Sequence, residues 1–253
     1  MRSRIDDVFP RGPLDFLLQL GIWLGFGLAY QVARGIADRE QVSQAFANGR
    51  AIIDAERWMH GLIELDLQNV ALRSDTLITA LNWTYWLSQF AVVGLALLWI
   101  YFRRNDAFIG VRNWLIVANL IGLVGYVLVP TAPPRMFPEW GFIDSLADSA
   151  ALNHGTGFVQ LAANPYAAMP SLHGADALII GISMAGLVRS RWAKTLWLLW
   201  PAWVWFAVMA TANHFWLDIA AGVAIAGVAY ALLAWWDGRR APKLAALEEP
   251  ERC

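Results

Sequence analysis

Charge is scarce in this 253-residue chain, where Asp, Glu, Lys and Arg make up 15% of the residues, against about 25% in an ordinary soluble domain. That scarcity excludes a disordered or coiled-coil chain and argues against a soluble enzyme. The net charge of −1 supplies no basic field, so nucleic acid is not an expected partner. Cysteine is all but missing. The single thiol, Cys253, excludes an intrachain disulfide framework and leaves the redox compartment unread. No internal repeat or low-complexity tract appears, and collagen is excluded with them. What fills the chain is apolar: 58% of it is hydrophobic, with 15 Trp and a mean hydropathy of +0.45. Apolar continuity decides the class as a multi-span membrane protein.

A helix crosses the hydrocarbon core with about 20 mostly apolar residues. Six segments qualify, at about 14–33, 76–102, 113–130, 171–188, 195–212 and 214–236. Prolines from Pro130 onward end the third, and a turn near Thr211–Asn213 separates the last two. The expected fold class is therefore an all-α integral membrane protein, a single membrane domain over 1–253 with six transmembrane helices. With the N-terminus inside, thirteen of the 19 Lys and Arg fall on the side of both termini. That bias predicts a multi-pass protein of the cell membrane with both termini cytoplasmic. The apolar region from Leu14 is too long for a signal peptide, and no small-residue cleavage site follows it.

Two stretches remain outside the bilayer on the far, extracytoplasmic side. Residues 35–75 carry Phe46, Ile52, Ile53, Met59, Leu62 and Ile63 at roughly helical spacing. They predict an interfacial amphipathic helical segment between spans one and two, lying beside the bundle. Residues 131–170 form a Pro/Gly/Asn-rich loop long enough to be functional, an expected active-site loop. Residues 238–253 are expected to be a cytoplasmic tail.

Three short strings hold the chemistry. Pro130-Thr-Ala-Pro-Pro-Arg135 follows the third span, Asn164-Pro-Tyr-Ala-Ala-Met-Pro-Ser-Leu-His173 opens the fourth, and Thr211-Ala-Asn-His-Phe-Trp-Leu-Asp218 opens the sixth. His173 and His214 lie 41 residues apart, two crossings and a short turn, so both histidines return to one membrane face. Ser171 after Pro170 is a candidate N-cap, which aims the free N–H groups of the fourth helix at the aqueous edge, where an anion binds readily. The start of the sixth helix offers a second such site. His214 and Asp218 stand at i and i+4, within reach on one helix face. A carboxylate there fixes the imidazole tautomer and supports positive charge on the ring. Arg135 adds a permanent cation suited to bidentate phosphate contact. Together these groups suit a phosphoryl ligand.

These strings resemble the type 2 phosphatidic acid phosphatase superfamily, which includes lipid phosphate phosphatases, glucose-6-phosphatase and vanadium haloperoxidases. Its Pro-Ser-x-His string is matched by Pro170-Ser-Leu-His173, and the end of its Ser-Arg-x5-His-x3-Asp string by His214-x3-Asp218. The wording is most similar to the inositol phosphorylceramide synthase branch, over about residues 75–236. Departures stand beside the match. Leu128 occupies the position of the family's Lys, Met136 replaces a Pro, and Ala207 and Val208 replace the Ser-Arg pair. Fewer cations suit a phosphodiester better than a doubly charged monoester. The resemblance implies metal-independent phosphotransferase or phosphatase chemistry without a cofactor. His214 would form a phosphohistidine and Asp218 would orient it. His173 would serve as acid and then base, while Arg135, Ser171 and helix N-termini hold the phosphate oxygens. The implied partners are a lipid phosphate ester, a lipid alcohol or water as acceptor, and the membrane.

Plainer readings compete at several positions. His214 with Asp218 also reads as a polar pair closing a helix end, and Arg135 as a snorkelling loop cation. Asn213 either bonds the phosphate or shapes the turn. Asp176, one turn past His173, has three equal readings: steering His173, meeting a polar head group, or favouring the positive helix end. Tyr166 and Asn164 read more readily as loop structure than as substrate contacts. Arg57, Trp58 and His60 are candidates for the substrate entrance, and His154 has no partner in sequence. A non-catalytic lipid-phosphate binder or transporter would use the same pocket.

Overall fold

The computed structural model describes residues 9–36, 42–147 and 166–248. Asn164, His154, Cys253 and the middle of the expected active-site loop lie outside them. The chain runs through α1 (Pro13–Ile36), α2 (Val42–Trp58), α3 (Glu64–Ala71), α4 (Asp75–Leu87), a π-helical turn (Ser88–Val92) and α5 (Val93–Arg103). It continues through α6 (Asn105–Leu128), two 3-10 turns (Pro134–Met136 and Pro138–Trp140), α7 (Leu172–Leu187), α8 (Arg191–Ala210) and α9 (Trp216–Glu248). Among the described residues the architecture is all-helical, with one isolated parallel bridge between Thr131 and Ala167.

Five helical stretches are long and apolar enough to cross a membrane: Pro13–Tyr30, Asp75–Arg103, Asn105–Leu128, Arg191–Ala210 and Trp216–Arg239. The expected fourth span is the exception. α7 has 16 residues, about 24 Å at 1.5 Å per residue. It packs against α5, α6, α8 and α9 and buries Leu172, Ile179, Ile180 and Met184 among them. A helix that packs on four others meets protein along most of its length and has less need to match lipid thickness with its own side chains.

Two boundaries also differ from the hydropathy reading. α6 begins at Asn105, not near 113, because Arg112 is absorbed into the helix. Its guanidinium donates to the side chains of Gln19 and Asn113. Gln19 donates in turn to Asp15, which also accepts from the Tyr101 hydroxyl at 2.9 Å. A charge with partners at the bundle edge does not end a helix. At the other end of the chain, α9 continues as helix to Glu248, where a tail was expected from 238.

The loop after α6 is tied to its surroundings by amides. Asn48 donates to the Pro130 carbonyl at 2.7 Å. Gln68 makes two bonds to the Ile143 backbone, and Asn82 makes two to Ser145. Beneath it, Ala45, Ile52 and Ile53 of α2 pack with Phe137 and Phe142 of the loop and with Phe215. The start of α7 is held equally closely. A Cβ on Gly222 of α9 would stand 2.1 Å from the Ser171 carbonyl oxygen, and one on Gly122 of α6 would stand 2.6 Å from Leu172 Cδ2. Only hydrogen at these two positions lets three helices converge on residues 170–173.

Candidate active site

The turn before α9 sets His214. Ala212 takes a left-handed φ of 52°, and the next two N–H groups, of Asn213 and His214, both donate to the Val208 carbonyl. This closure faces the histidine inward, 4% exposed. His214 Nδ1 lies 2.9 Å from the carbonyl oxygen of Ala168. A carbonyl only accepts, so Nδ1 carries the hydrogen, and in the neutral ring Nε2 has the lone pair. Asp218 Oδ2 stands 3.5 Å from the same nitrogen while accepting from Phe215 N–H at 2.9 Å. The backbone therefore holds the tautomer. Asp218, wholly buried, places its carboxyl beside the ring where imidazolium charge would develop.

His173 comes from the first turn of α7. Ser171 caps that helix as expected, its Oγ accepting from Gly174 N–H at 3.2 Å. The Ser171 N–H donates to the Asp218 carbonyl at 2.8 Å, which links the two strings directly. The two imidazoles lie side by side, tilted by 56° with centroids 5.5 Å apart. Tyr85 of α4 stacks on His173, at 4.5 Å and 21°. The sequence offered no cue to Tyr85, one aromatic among many in an apolar span.

Arg135 also arrives, held at both ends. Its backbone N–H donates to the Ala212 carbonyl, its Nη1 donates to Asn213 Oδ1 at 2.6 Å, and its Nε lies 3.6 Å from Asp144. Asn213 is thereby engaged on both sides of its amide, since its Nδ2 donates to the Thr211 carbonyl and hydroxyl. It thereby braces Arg135 and shapes the turn. Asp176 is likewise turned into the bundle, bonded by Asn119 at 2.8 Å and by Gln89 of the π turn. Tyr166 packs edge-on against Phe46, and its carbonyl accepts from Thr131 N–H. Arg57 lies over the Trp140 ring, while Trp58 and His60 are exposed.

The start of α9 is a correction. It was expected to offer a second anion site, but its N–H groups are already taken by the protein's own carboxyls. Phe215 N–H donates to Asp218, Trp216 N–H to Glu64 Oε1 at 2.6 Å, and Leu217 N–H to Glu56 Oε1 at 3.1 Å. Glu56 and Glu64 are both 0% exposed. Sequence reading passed over them. The available signal was Glu56 on the same helix face as Ile52 and Ile53, an acid on an apolar stripe.

Residues 50–232 match the PAP2 superfamily. The chain belongs to this superfamily. It is also 26% identical over 150 residues to a phosphoinositol dihydroceramide synthase of Bacteroides thetaiotaomicron, across 54% of this chain and 47% of that protein. The chain thus spans about half the length of the curated relative it matches. No solved structure matches it. In this PAP2 chain the positions of the missing Ser-Arg pair, Ala207 and Val208, are fully buried. Their carbonyls bind the turn before His214, so no second Arg enters the site from there.

Proposed function

We propose that this protein is an integral-membrane lipid phosphotransferase that works through a phosphohistidine on His214. The observation that carries the reading is the pair of neighbouring imidazoles, with His214 held as the Nδ1–H tautomer by Ala168. Nε2 would attack phosphorus, forming the N–P bond as the P–O bond to the lipid alcohol breaks. His173 would give the departing oxygen its proton and later take one from the acceptor hydroxyl, whose oxygen then displaces His214. Arg135 and the capped start of α7, with Ser171, would neutralise the phosphate oxygens. No metal or cofactor enters this scheme. α7 completes six crossings, and the site opens on the extracytoplasmic face with both termini cytoplasmic.

The head-group class follows from the charges. Arg135, already shared with Asp144, is the one permanent cation among the named site residues, which favours a singly charged phosphodiester over a monoester. The named activity of the relative, a phosphoinositol dihydroceramide synthase, points to transfer of an inositol phosphate from a phosphoinositide to a lipid alcohol. Purified protein given phosphatidylinositol labelled in the head group, with ceramide in mixed micelles and a chelator, should yield ceramide-dependent labelled lipid above the hydrolysis background. A second reading, hydrolysis of a lipid or polyprenyl phosphate, is favoured by the partial exposure of His173, which admits water. Free release of phosphate from a monoester, uncontested by any alcohol, would establish it instead. Binding without turnover of either substrate would make the protein a lipid-phosphate binder or transporter.

The membrane side has its own test. Cys253 is the only thiol, and Glu139 is exposed in the loop after α6. In intact cells an impermeant maleimide should label Glu139→Cys and leave Cys253 unlabelled until lysis. Labelling of Cys253 alone would move the site to the cytoplasmic face.

A further inference from the structure

The α2–α3 hairpin reaches the first turn of α9 through two buried acids. Glu64 and Glu56 accept from consecutive N–H groups, those of Trp216 and Leu217, immediately after His214 and Phe215. Each leaves its Oε2 buried without a donor from the rest of the described protein. The two carboxyls are close neighbours, and after burial the repulsion of Glu64 is what raises Glu56 most. Two buried carboxylates this close resist ionising together, which favours one of them keeping its proton. One retained hydrogen on the pair would give these two buried oxygens the donor they otherwise lack.

We propose that Glu56 and Glu64 are positioning residues of the phosphoryl-transfer site, a buried acid–carboxylate pair whose single shared proton lets both cap α9 and so fixes where His214 and Asp218 stand. The inference rests on the catalytic reading of those two residues. It makes the hairpin part of the machinery and not only a neighbour of the bundle.

The electrostatics around the pair agree. Burial and then the repulsion of Glu64 push the Glu56 carboxyl up to about 9, and burial raises Glu64 as well. Asp218 is the acid that faces both from α9, and none of the ion pairs among the described residues includes either glutamate. On α2, Asp54 is exposed and Arg57 lies on Trp140. On α8, packed against α3, no side chain beyond Lys194 is ionisable. The direction follows from the raised value. The native protein keeps a proton that the unfolded chain gives up in the ordinary carboxylate range, so its stability falls as pH climbs toward the folded value. Above that value both caps are charged beside Asp218, and the clamp loosens.

The test uses the full-length protein in the mixed-micelle assay above, with His214→Ala as reference. Glu56→Ala and Glu64→Ala should lower kcat by roughly 10²-fold, the cost of small displacements at a reacting centre, with KM changed far less. Glu56→Gln should restore most of the kcat, because an amide accepts from Leu217 and donates to Glu64 without titrating. Its kcat profile should lack the alkaline limb near pH 9, while any limb belonging to His173 stays. Infrared spectra at neutral pH should show one protonated carboxylic carbonyl that Glu56→Gln/Glu64→Gln lacks, a readout independent of activity. Should the alanine variants fail to fold, the Glu56→Gln profile and the infrared band decide. An unchanged alkaline limb in Glu56→Gln, no lost carbonyl band, or wild-type kcat in the alanine variants overturns the proposal. Undiminished turnover by His214→Ala would instead overturn the catalytic reading of the site.

Discussion

Replacing His214 by Ala is expected to lower turnover by ~10⁴-fold or more, the scale on which loss of an enzymic nucleophile is felt. Ala168 receives the Nδ1 hydrogen, so in the proposed mechanism the neutral ring presents Nε2 to phosphorus without a prior proton transfer. Quenching the wild-type reaction in base should preserve a phosphorus–nitrogen adduct that peptide mapping places on His214. Asp218→Asn is expected to cost less, roughly 10²-fold, because the tautomer survives and only support of the ring's positive charge is lost; where an acid alone fixes the tautomer the loss is nearer 10⁴-fold. If the adduct forms on another residue, or His214→Ala turns over normally, the phosphohistidine mechanism is wrong.

The second large effect belongs to His173. His173→Gln should reduce kcat by about 10²–10⁴-fold with a natural lipid donor, the usual contribution of a positioned general acid. A lipid alkoxide is a poor leaving group and must be protonated as it departs. An aryl phosphodiester that releases a stable phenolate has no such need, so its first step should be nearly insensitive to His173→Gln while remaining dead in His214→Ala. Burst kinetics read that step directly. Equal loss with lipid and aryl donors would show that His173 positions the substrate instead of moving a proton. Tyr85, stacked on His173 at 4.5 Å, belongs to the same measurement, because its loss would free the ring without removing the acid.

Much of this was legible in the chain because the signals are local. Ser171 could be read as a cap since the group it satisfies lies three residues on, at Gly174. The apolar stretches reported spanning helices because burial in hydrocarbon depends on each residue's own transfer energy. Errors of length arose where that energy is offset by partners. Arg112 stays inside α6 because Gln19 and Asn113 meet it.

By itself the sequence determined the membrane class, the all-helical elements and the three strings that hold His173, His214, Asp218 and Arg135. Tertiary structure alone decided how those residues are held. The Ala168 carbonyl that sets the tautomer of His214 lies 46 residues away, and every residue has a carbonyl, so no residue type announces that role. The glutamates that fill the N-terminus of α9 lie 152 and 161 residues from the N–H groups they accept. Until α2 and α3 dock there, that helix end is an open anion site and the two acids are ordinary members of a surface helix. A hydrogen bond is satisfied by whichever group packing brings within about 3 Å, and packing of this range is a property of the folded chain as a whole.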